Sequence, residues 1–146
     1  MIAEMTPEHL DVVMEIENTS FATPWTREMF IEELQNEKAH YFVALENNKV
    51  VGYCGLWLVL DEGHIMTIAV SENLRSGGIG SILIKKMIEV CGGTTFIALE
   101  VRKSNKSARR LYEKFGFVTL GERKGYYNGE DAIIMHRRCD VEDLGN

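Results

Sequence analysis

A chain of 146 residues suits a single domain, and with 45% hydrophobic residues it can bury a substantial core. Its formal charge of −6, from 16 Lys and Arg against 22 Asp and Glu, argues against the basic face that general nucleic-acid binding requires. The longest apolar run, residues 50–60, is interrupted by Gly52 and Gly55 and is too short to span a bilayer, so no membrane partner is expected. Cys54, Cys91 and Cys139 lie far apart, with neither metal-ligand nor disulfide spacing. They fit a reducing cytoplasm. No metal is expected, and the sequons at Asn18 and Asn105 carry no weight without a signal peptide.

Residues 2–5 read as a short strand. Thr6-Pro7 reads as a helix cap followed by proline at the first helical position, with Leu10, Val13, Met14 and Ile16 at helical spacing behind it. A second helix starts at Pro24-Trp25-Thr26, with Thr26 as the cap and Met29, Phe30 and Leu34 as its apolar stripe. Asn47-Asn48-Lys49 is a hairpin signal between strands at 41–46 and 50–60. Asp61-Glu62-Gly63 is a further turn before a strand at 64–70, and these three strands are expected to be antiparallel neighbours. A glycine-rich loop then leads into a helix that ends at Gly92-Gly93. A strand follows at 95–101, then a helix at 104–115 with Ala108, Leu111 and Phe115 on one face. Strands at 118–123 and 132–137 pair through a loop of Gly, Tyr, Asn and Asp residues. The polar tail, residues 139–146, is expected to fray. The result is one α/β domain over residues 1–138. Its single mixed sheet of about seven strands is flanked by about four helices, and the crossover over residues 64–101 makes its two strands parallel neighbours.

The most informative stretch is Arg75-Ser76-Gly77-Gly78-Ile79-Gly80-Ser81, a glycine-rich loop between a strand and a helix N-terminus. Such a loop presents unpaired backbone N–H groups and the positive end of a helix dipole to phosphate oxygens. It lacks the lysine of a Walker loop. The sequence Gly78-Ile79-Gly80-Ser81-Ile82-Leu83 has a bulky residue where a dinucleotide fingerprint needs Gly or Ala. What remains is R-x-x-G-x-G, from Arg75 through Gly78 to Gly80, or a plain tight turn with a helix cap. Charge is uneven: residues 1–66 hold twelve acidic and three basic groups, whereas residues 101–115 hold six basic groups and one acidic. The basic segment suits a polyanionic small ligand or a solvated helix face.

The R-x-x-G-x-G loop resembles the pyrophosphate loop of the GNAT acetyltransferases, which hold acetyl-CoA. Asn105, Ala108, Leu111-Tyr112-Glu113 and Gly116-Phe117 resemble that family's N-x-x-A-x-x-L-Y-x-x-x-G-F segment. Leu99-Glu100-Val101-Arg102 resembles the strand before it. Tyr126-Tyr127, with Gly129-Glu130-Asp131-Ala132 and Met135, resembles the substrate loop of the protein Nα-acetyltransferases. Ser20-Phe21, Pro24-Trp25 and Phe30 resemble the RimI type, bacterial acetyltransferases of the N-terminal alanine of a small-subunit ribosomal protein. The resemblance covers residues 1–138 and implies the GNAT fold, acetyl-CoA as cosubstrate and a protein N-terminus as acceptor.

It also implies roles. Glu100 stands at the C-terminal end of a parallel strand, where α/β sheets place ligands. It is a candidate general base, or a sheet-end carboxylate paired with Arg102 or Lys103. Tyr112 is a candidate acid, or core packing. Ile68, Ala69 and Val70 lie on a strand the family splays or bulges, offering backbone to the cofactor and to a developing oxyanion. Arg75, Ser76, Gly77, Gly78, Ile79, Gly80 and Ser81 form the phosphate loop, Asn105 binds cofactor or caps its helix, and Arg109 is a candidate for the adenosine phosphate. Phe21, Trp25, Tyr126 and Tyr127 frame the acceptor or pack on the sheet. His40 and His64 show no ligand spacing and read as structural. The alternatives are a small-amine or polyamine acetyltransferase and a non-catalytic acetyl-CoA-binding regulatory module.

Overall fold

The computed structural model describes residues 1–75, 77–127 and 129–139. Ser76 and residues 140–146 of the expected frayed tail lie outside the described residues. The chain runs β1 (Ile2–Glu4), α1 (Leu10–Ser20), α2 (Arg27–Leu34), β2 (Ala39–Glu46), β3 (Lys49–Val59), β4 (Glu62–Val70), α3 (Ile79–Val90), β5 (Phe96–Arg102), α4 (Lys106–Lys114), β6 (Val118–Tyr127) and β7 (Glu130–Arg138). The strands form one seven-stranded sheet in the order β1-β2-β3-β4-β5-β7-β6. Only β4 and β5 run parallel, and the other neighbours are antiparallel.

Local chemistry sets most boundaries. Thr6-Pro7 opens a short 3-10 turn rather than the helix itself, and α1 starts at Leu10. The Thr6 N–H donates to Nδ1 of His9 at 2.9 Å. Thr26 caps α2, its hydroxyl accepting from the Met29 N–H at 3.2 Å. Asn47 and Asn48 adopt φ of 53° and 64°, and the register Glu46↔Lys49 closes a two-residue hairpin of the left-handed type that asparagine tolerates. The next turn is not at Asp61-Glu62-Gly63. Val59 pairs with Glu62, so the loop is Leu60-Asp61, with a fully exposed Leu60 at φ 54° and β4 starting earlier than expected. The last hairpin is also longer than expected. Tyr126 and Tyr127 belong to β6, and the register bulges between Arg123↔Ala132 and Tyr127↔Glu130.

The sheet separates two apolar layers because successive strand residues face opposite sides. Phe42, Cys54, Leu56, Ile97, Leu99 and Val101 meet Leu83, Ile84 and Met87 of α3 and Tyr112 of α4. Tyr41, Val43, Tyr53 and Ala69 meet Leu10, Val13 and Ile16 of α1 and Phe30 of α2. Of the expected α2 stripe, Phe30 is buried and Met29 is exposed. The Tyr41 ring lies over Gly55, where a Cβ would fall 2.1 Å from it. Glu33 of α2 accepts from the Tyr41 hydroxyl at 2.8 Å and from Trp57 Nε1 at 2.6 Å, which fixes α2 to β2 and β3. The three cysteines are free thiols, and burial pushes those of Cys54 and Cys91 up to about 12. No helix among the described residues is long and apolar enough to cross a membrane.

Phe30 is fully buried and makes edge contacts with Tyr41 and Tyr53 at 6.3 and 5.8 Å. Phe30→Ala should therefore cost about 3–5 kcal/mol, read as a lowered denaturation midpoint. An unchanged midpoint would mean that α2 contributes little to the core.

Candidate active site

The parallel pairing of β4 and β5 is brief. It runs through Glu62↔Phe96, Gly63↔Ile97 and His64↔Ala98, and then stops. Past His64 the two strands separate, and β4 keeps only β3 as a paired neighbour among the described residues. The bulge on β4 lies at Met66, between the pairs Leu56↔Ile65 and Gly55↔Thr67. The strand was expected to be splayed or bulged around Ile68 to Val70. That segment is instead regular against β3 and unpaired on the side of β5. A bulge sharpens local twist, so placing it at the end of the paired stretch turns β4 away from β5 where the split begins.

Two cavities open on this split. The larger, about 570 Å³, is lined by Ile68, Ala69, Val70, Arg75, Gly78, Gly80, Ser81, Asn105 and Tyr112 among others. Nine of the expected cofactor residues therefore meet in one place. Gly77 is not in the lining. Ile79 turns its side chain into the core beneath α3. Gly78 sits at the N-terminus of α3 with φ 91°, a left-handed conformation that glycine adopts without strain. A Cβ there would meet no atom within 4 Å, so the ground above the first turn of α3 is open.

Two polar side chains in this cavity also hold the structure itself. Arg75 Nε donates to the Val70 carbonyl at 3.1 Å, and its terminal nitrogen donates to Ser20 Oγ at 2.9 Å. The loop is thereby tied to the ends of β4 and α1. Asn105 Oδ1 accepts from the Ala108 N–H at 3.2 Å and caps α4. Arg109 donates to the Lys103 carbonyl at 3.0 Å and is absent from the lining, so it does not gather with the others.

The smaller cavity, about 370 Å³, brings together Phe21, Trp25, Tyr126 and Tyr127, with Glu17, Met66, Thr67 and Arg102 beside them. Phe21 lines both cavities. On β5, Leu99 and Val101 face α3 and α4, so Glu100 and Arg102 face the other layer by alternation.

The Glu100 carboxylate lies 3.0 Å from His64 Nε2. It does not pair with Arg102 or Lys103, which bridge Glu130 at 3.1 Å and Glu122 at 3.2 Å. The one stretch of parallel pairing sets His64, which was read as structural, beside Glu100. Tyr112 is buried on the other side, edge-on to Phe117 at 5.5 Å. Burial, and then the charges of Tyr127 and Cys54, push its hydroxyl well up, so it keeps its proton. Tyr127 stands between the two sides. Its hydroxyl donates to the Glu100 carbonyl at 3.1 Å and is pushed up to about 12, first by burial and then by Tyr126 and Glu100. The Arg102 guanidinium lies 4.6 Å over its ring.

Two carboxylates hold the hairpin that carries these tyrosines. Glu130 accepts from the Ser104 N–H at 2.8 Å and from Arg102. Asp131 accepts from the Gly125 N–H at 3.0 Å, supplying the partner that the bulged ladder leaves out, and also binds Lys124. These donors hold both carboxyls below their usual range. Sequence reasoning missed Glu17, His64, Met66, Thr67 and Arg102. Glu17 left one signal, a charge on the buried stripe of Val13 and Ile16.

Residues 10–117 match the description of the Acetyltransferase (GNAT) family. A Bacillus subtilis protein, provisionally named a ribosomal protein bS18-alanine N-acetyltransferase, is 42% identical over 139 residues, covering 92% of each chain. The ribosomal protein bS18-alanine N-acetyltransferase of Escherichia coli K12 is 33% identical over 140 residues, covering 92% of this chain and 94% of that one. The crystal structure of the ribosomal-protein-S18-alanine N-acetyltransferase from Escherichia coli superposes with a TM-score of 0.89 at 31% identity, over 100% of this chain and 97% of that one.

Because the folded values of Glu130 and Asp131 are depressed, their contribution is complete above the ordinary carboxylate range and is lost as pH falls below about 4. Amide exchange should show Ser104 and Gly125 losing protection in acid before core amides such as Val43 do. Simultaneous loss would mean that the hairpin is not held separately by these carboxylates.

Proposed function

The chain belongs to the GNAT acetyltransferase family and is an N-acetyltransferase; from this premise we propose that it transfers acetyl from acetyl-CoA to the α-amine of a protein N-terminus. The N-terminal alanine of a small-subunit ribosomal protein is the proposed acceptor. The observation that carries this reading is the pair of cavities meeting at the split between β4 and β5, one beside the phosphate loop and one walled by aromatic side chains. The named activities of the bacterial relatives support the choice of acceptor.

The residues of the larger cavity fit acetyl-CoA. The amides at the start of α3 face the open ground at Gly78 and suit a pyrophosphate. The unpaired edge of β4 over Ile68, Ala69 and Val70 suits a polar extended arm, and its N–H groups can donate to a thioester oxygen as negative charge develops there. An α-amine has a pKa of about 7.7–8.0 and is mostly protonated near neutrality, so Glu100 takes that proton, directly or through one water. His64, half exposed and in contact with Glu100, passes it toward solvent. The amine nitrogen bonds to the carbonyl carbon, the carbon–sulfur bond breaks, and the Tyr112 hydroxyl gives its proton to the leaving thiolate; the new amide nitrogen sheds its extra proton to solvent, and solvent returns a proton to Tyr112. Tyr126, Tyr127, Phe21 and Trp25 hold the peptide. The acidic N-terminal half of the chain favours encounter with a basic protein tail.

Release of free thiol from acetyl-CoA, measured across a panel of N-terminal peptides and small amines, tests this reading. Ala- and Ser-initiated peptides should outperform every polyamine and free lysine. A small amine that outperforms every peptide would replace the acceptor, and no release with any amine would leave only a binding module.

Two substitutions separate the proton-transfer roles. Tyr112→Phe should lower kcat by roughly 10²–10⁴ with acetyl-CoA affinity unchanged, and a rate within a few-fold of wild type would leave Tyr112 as packing alone. Glu100→Gln should cost most at low pH and least above about pH 8, where the amine is already neutral. A loss independent of pH would assign Glu100 to positioning.

A further inference from the structure

Glu17 is the buried charged residue of the described chain, 2% exposed, on the apolar stripe of α1. A buried carboxylate is costly unless its oxygens are hydrogen-bonded. Here both are. Oε1 accepts from the Tyr53 hydroxyl on β3, and Oε2 accepts from the Trp25 backbone N–H at 2.8 Å. No salt bridge reaches Glu17 among the described residues. An apolar side chain here would leave the buried Tyr53 hydroxyl and the Trp25 N–H without this acceptor, at a cost to stability.

What the carboxylate adds is a hold on one particular segment. Residues 21–26 connect α1 to α2 without helix or strand, and they carry Phe21 and Trp25 of the smaller cavity. The Phe21 N–H donates to the Glu17 backbone carbonyl at 3.2 Å, and the Trp25 N–H donates to the Glu17 side chain. One residue therefore fixes both ends of the wall. Tyr53, fully buried and edge-on to Phe30 at 5.8 Å, holds the carboxylate against the sheet. The wall is referred through Glu17 to β3, the strand that also pairs with β4 along the split.

We propose that Glu17 is a positioning residue for acceptor binding: its hydrogen bonds to Trp25 and Tyr53 set the distance between the aromatic wall and Tyr126–Tyr127. This rests on the smaller cavity being the acceptor site. Glu17 touches neither reacting atom, so its effect falls on acceptor affinity and not on proton transfer.

The test compares Glu17→Leu, which keeps apolar volume and removes the acceptor for the Trp25 N–H, with Glu17→Gln, which keeps an accepting oxygen and can donate to the Tyr53 oxygen. For Glu17→Leu, KM for an Ala-initiated peptide should rise about tenfold or more, the worth of one charge-assisted hydrogen bond. Its kcat and acetyl-CoA affinity should stay close to wild type, its melting temperature should fall because the buried Tyr53 hydroxyl loses its acceptor, and the Trp25 amide should lose exchange protection. Glu17→Gln should restore peptide KM to within about threefold of wild type. An unchanged KM in the leucine variant would overturn the inference, as would a glutamine variant equally impaired or a parallel fall in kcat and cofactor affinity. If the leucine variant fails to fold, Glu17→Asp, which keeps the charge and loses reach, should show the same split. Exchange at Trp25 needs no substrate, so its loss without any KM change would reject the acceptor role while upholding the wild-type hydrogen bond from the Trp25 N–H to Glu17. A wild-type enzyme that acetylates no peptide would overturn the acceptor reading, and this inference with it.

Discussion

The pairing of β4 with β5 ends after three residue pairs, and everything that makes this fold a reaction site depends on that stop. A continuous ladder would satisfy the backbone groups of both strands and close the sheet. With the ladder interrupted, β4 from Ile65 onward presents an unpaired edge on the side of β5, and Phe21 lines both cavities that open there. The Met66 bulge marks the start of the divergence. The three pairs that do form set the register bringing His64 alongside Glu100. One short stretch of parallel pairing therefore sets the contact between His64 and Glu100, and its termination leaves room for the two cavities.

The split also divides the chemistry between the faces. Glu100 faces the layer of α1 and α2, where the proposed acceptor cavity opens, without lining that cavity, and Tyr112, on α4, lines the larger cavity proposed for the cosubstrate. The group proposed to accept a proton and the one proposed to give one thus lie on opposite faces of the sheet. Tyr127, on β6, lines the smaller cavity. Its hydroxyl also holds the Glu100 backbone, so the acceptor hairpin and the base-bearing strand are one mechanical unit.

Much of this was legible in the sequence because the signals are local. Asn47-Asn48 could form a left-handed hairpin without strain, the glycines after Arg75 fitted an open helix N-terminus, and Thr26 and Asn105 capped the helices they precede. The neighbours β2-β3-β4 and β6-β7 followed from turns and the pair β4-β5 from one crossover, whereas the pairing of β5 with β7 did not follow from either. What was not legible depends on register between distant segments. His64 and Glu100 are thirty-six residues apart, and no local rule aligns them. The bulge at Met66 inserts one residue between two ladder pairs, and no turn-forming residue marks it. Leu60 takes a left-handed turn position that a leucine would not advertise. Tyr126 and Tyr127 were read as loop because Gly125 and Gly129 flank them, yet the Asp131 side chain replaces a missing ladder partner and lets the strand continue. Glu17 was visible only as an anomaly on an apolar stripe.

The central claim is that the two cavities hold the two substrates at once, meeting at the split. A conjugate joining the α-nitrogen of an Ala-initiated peptide to the sulfur of coenzyme A through an acetyl bridge measures this directly by calorimetry. If both cavities are filled together, the conjugate should bind about 10²–10⁴ times more tightly than coenzyme A alone, the gain expected when a second binding event becomes intramolecular. A conjugate that binds no more tightly than coenzyme A would contradict a shared site across the split of β4 and β5.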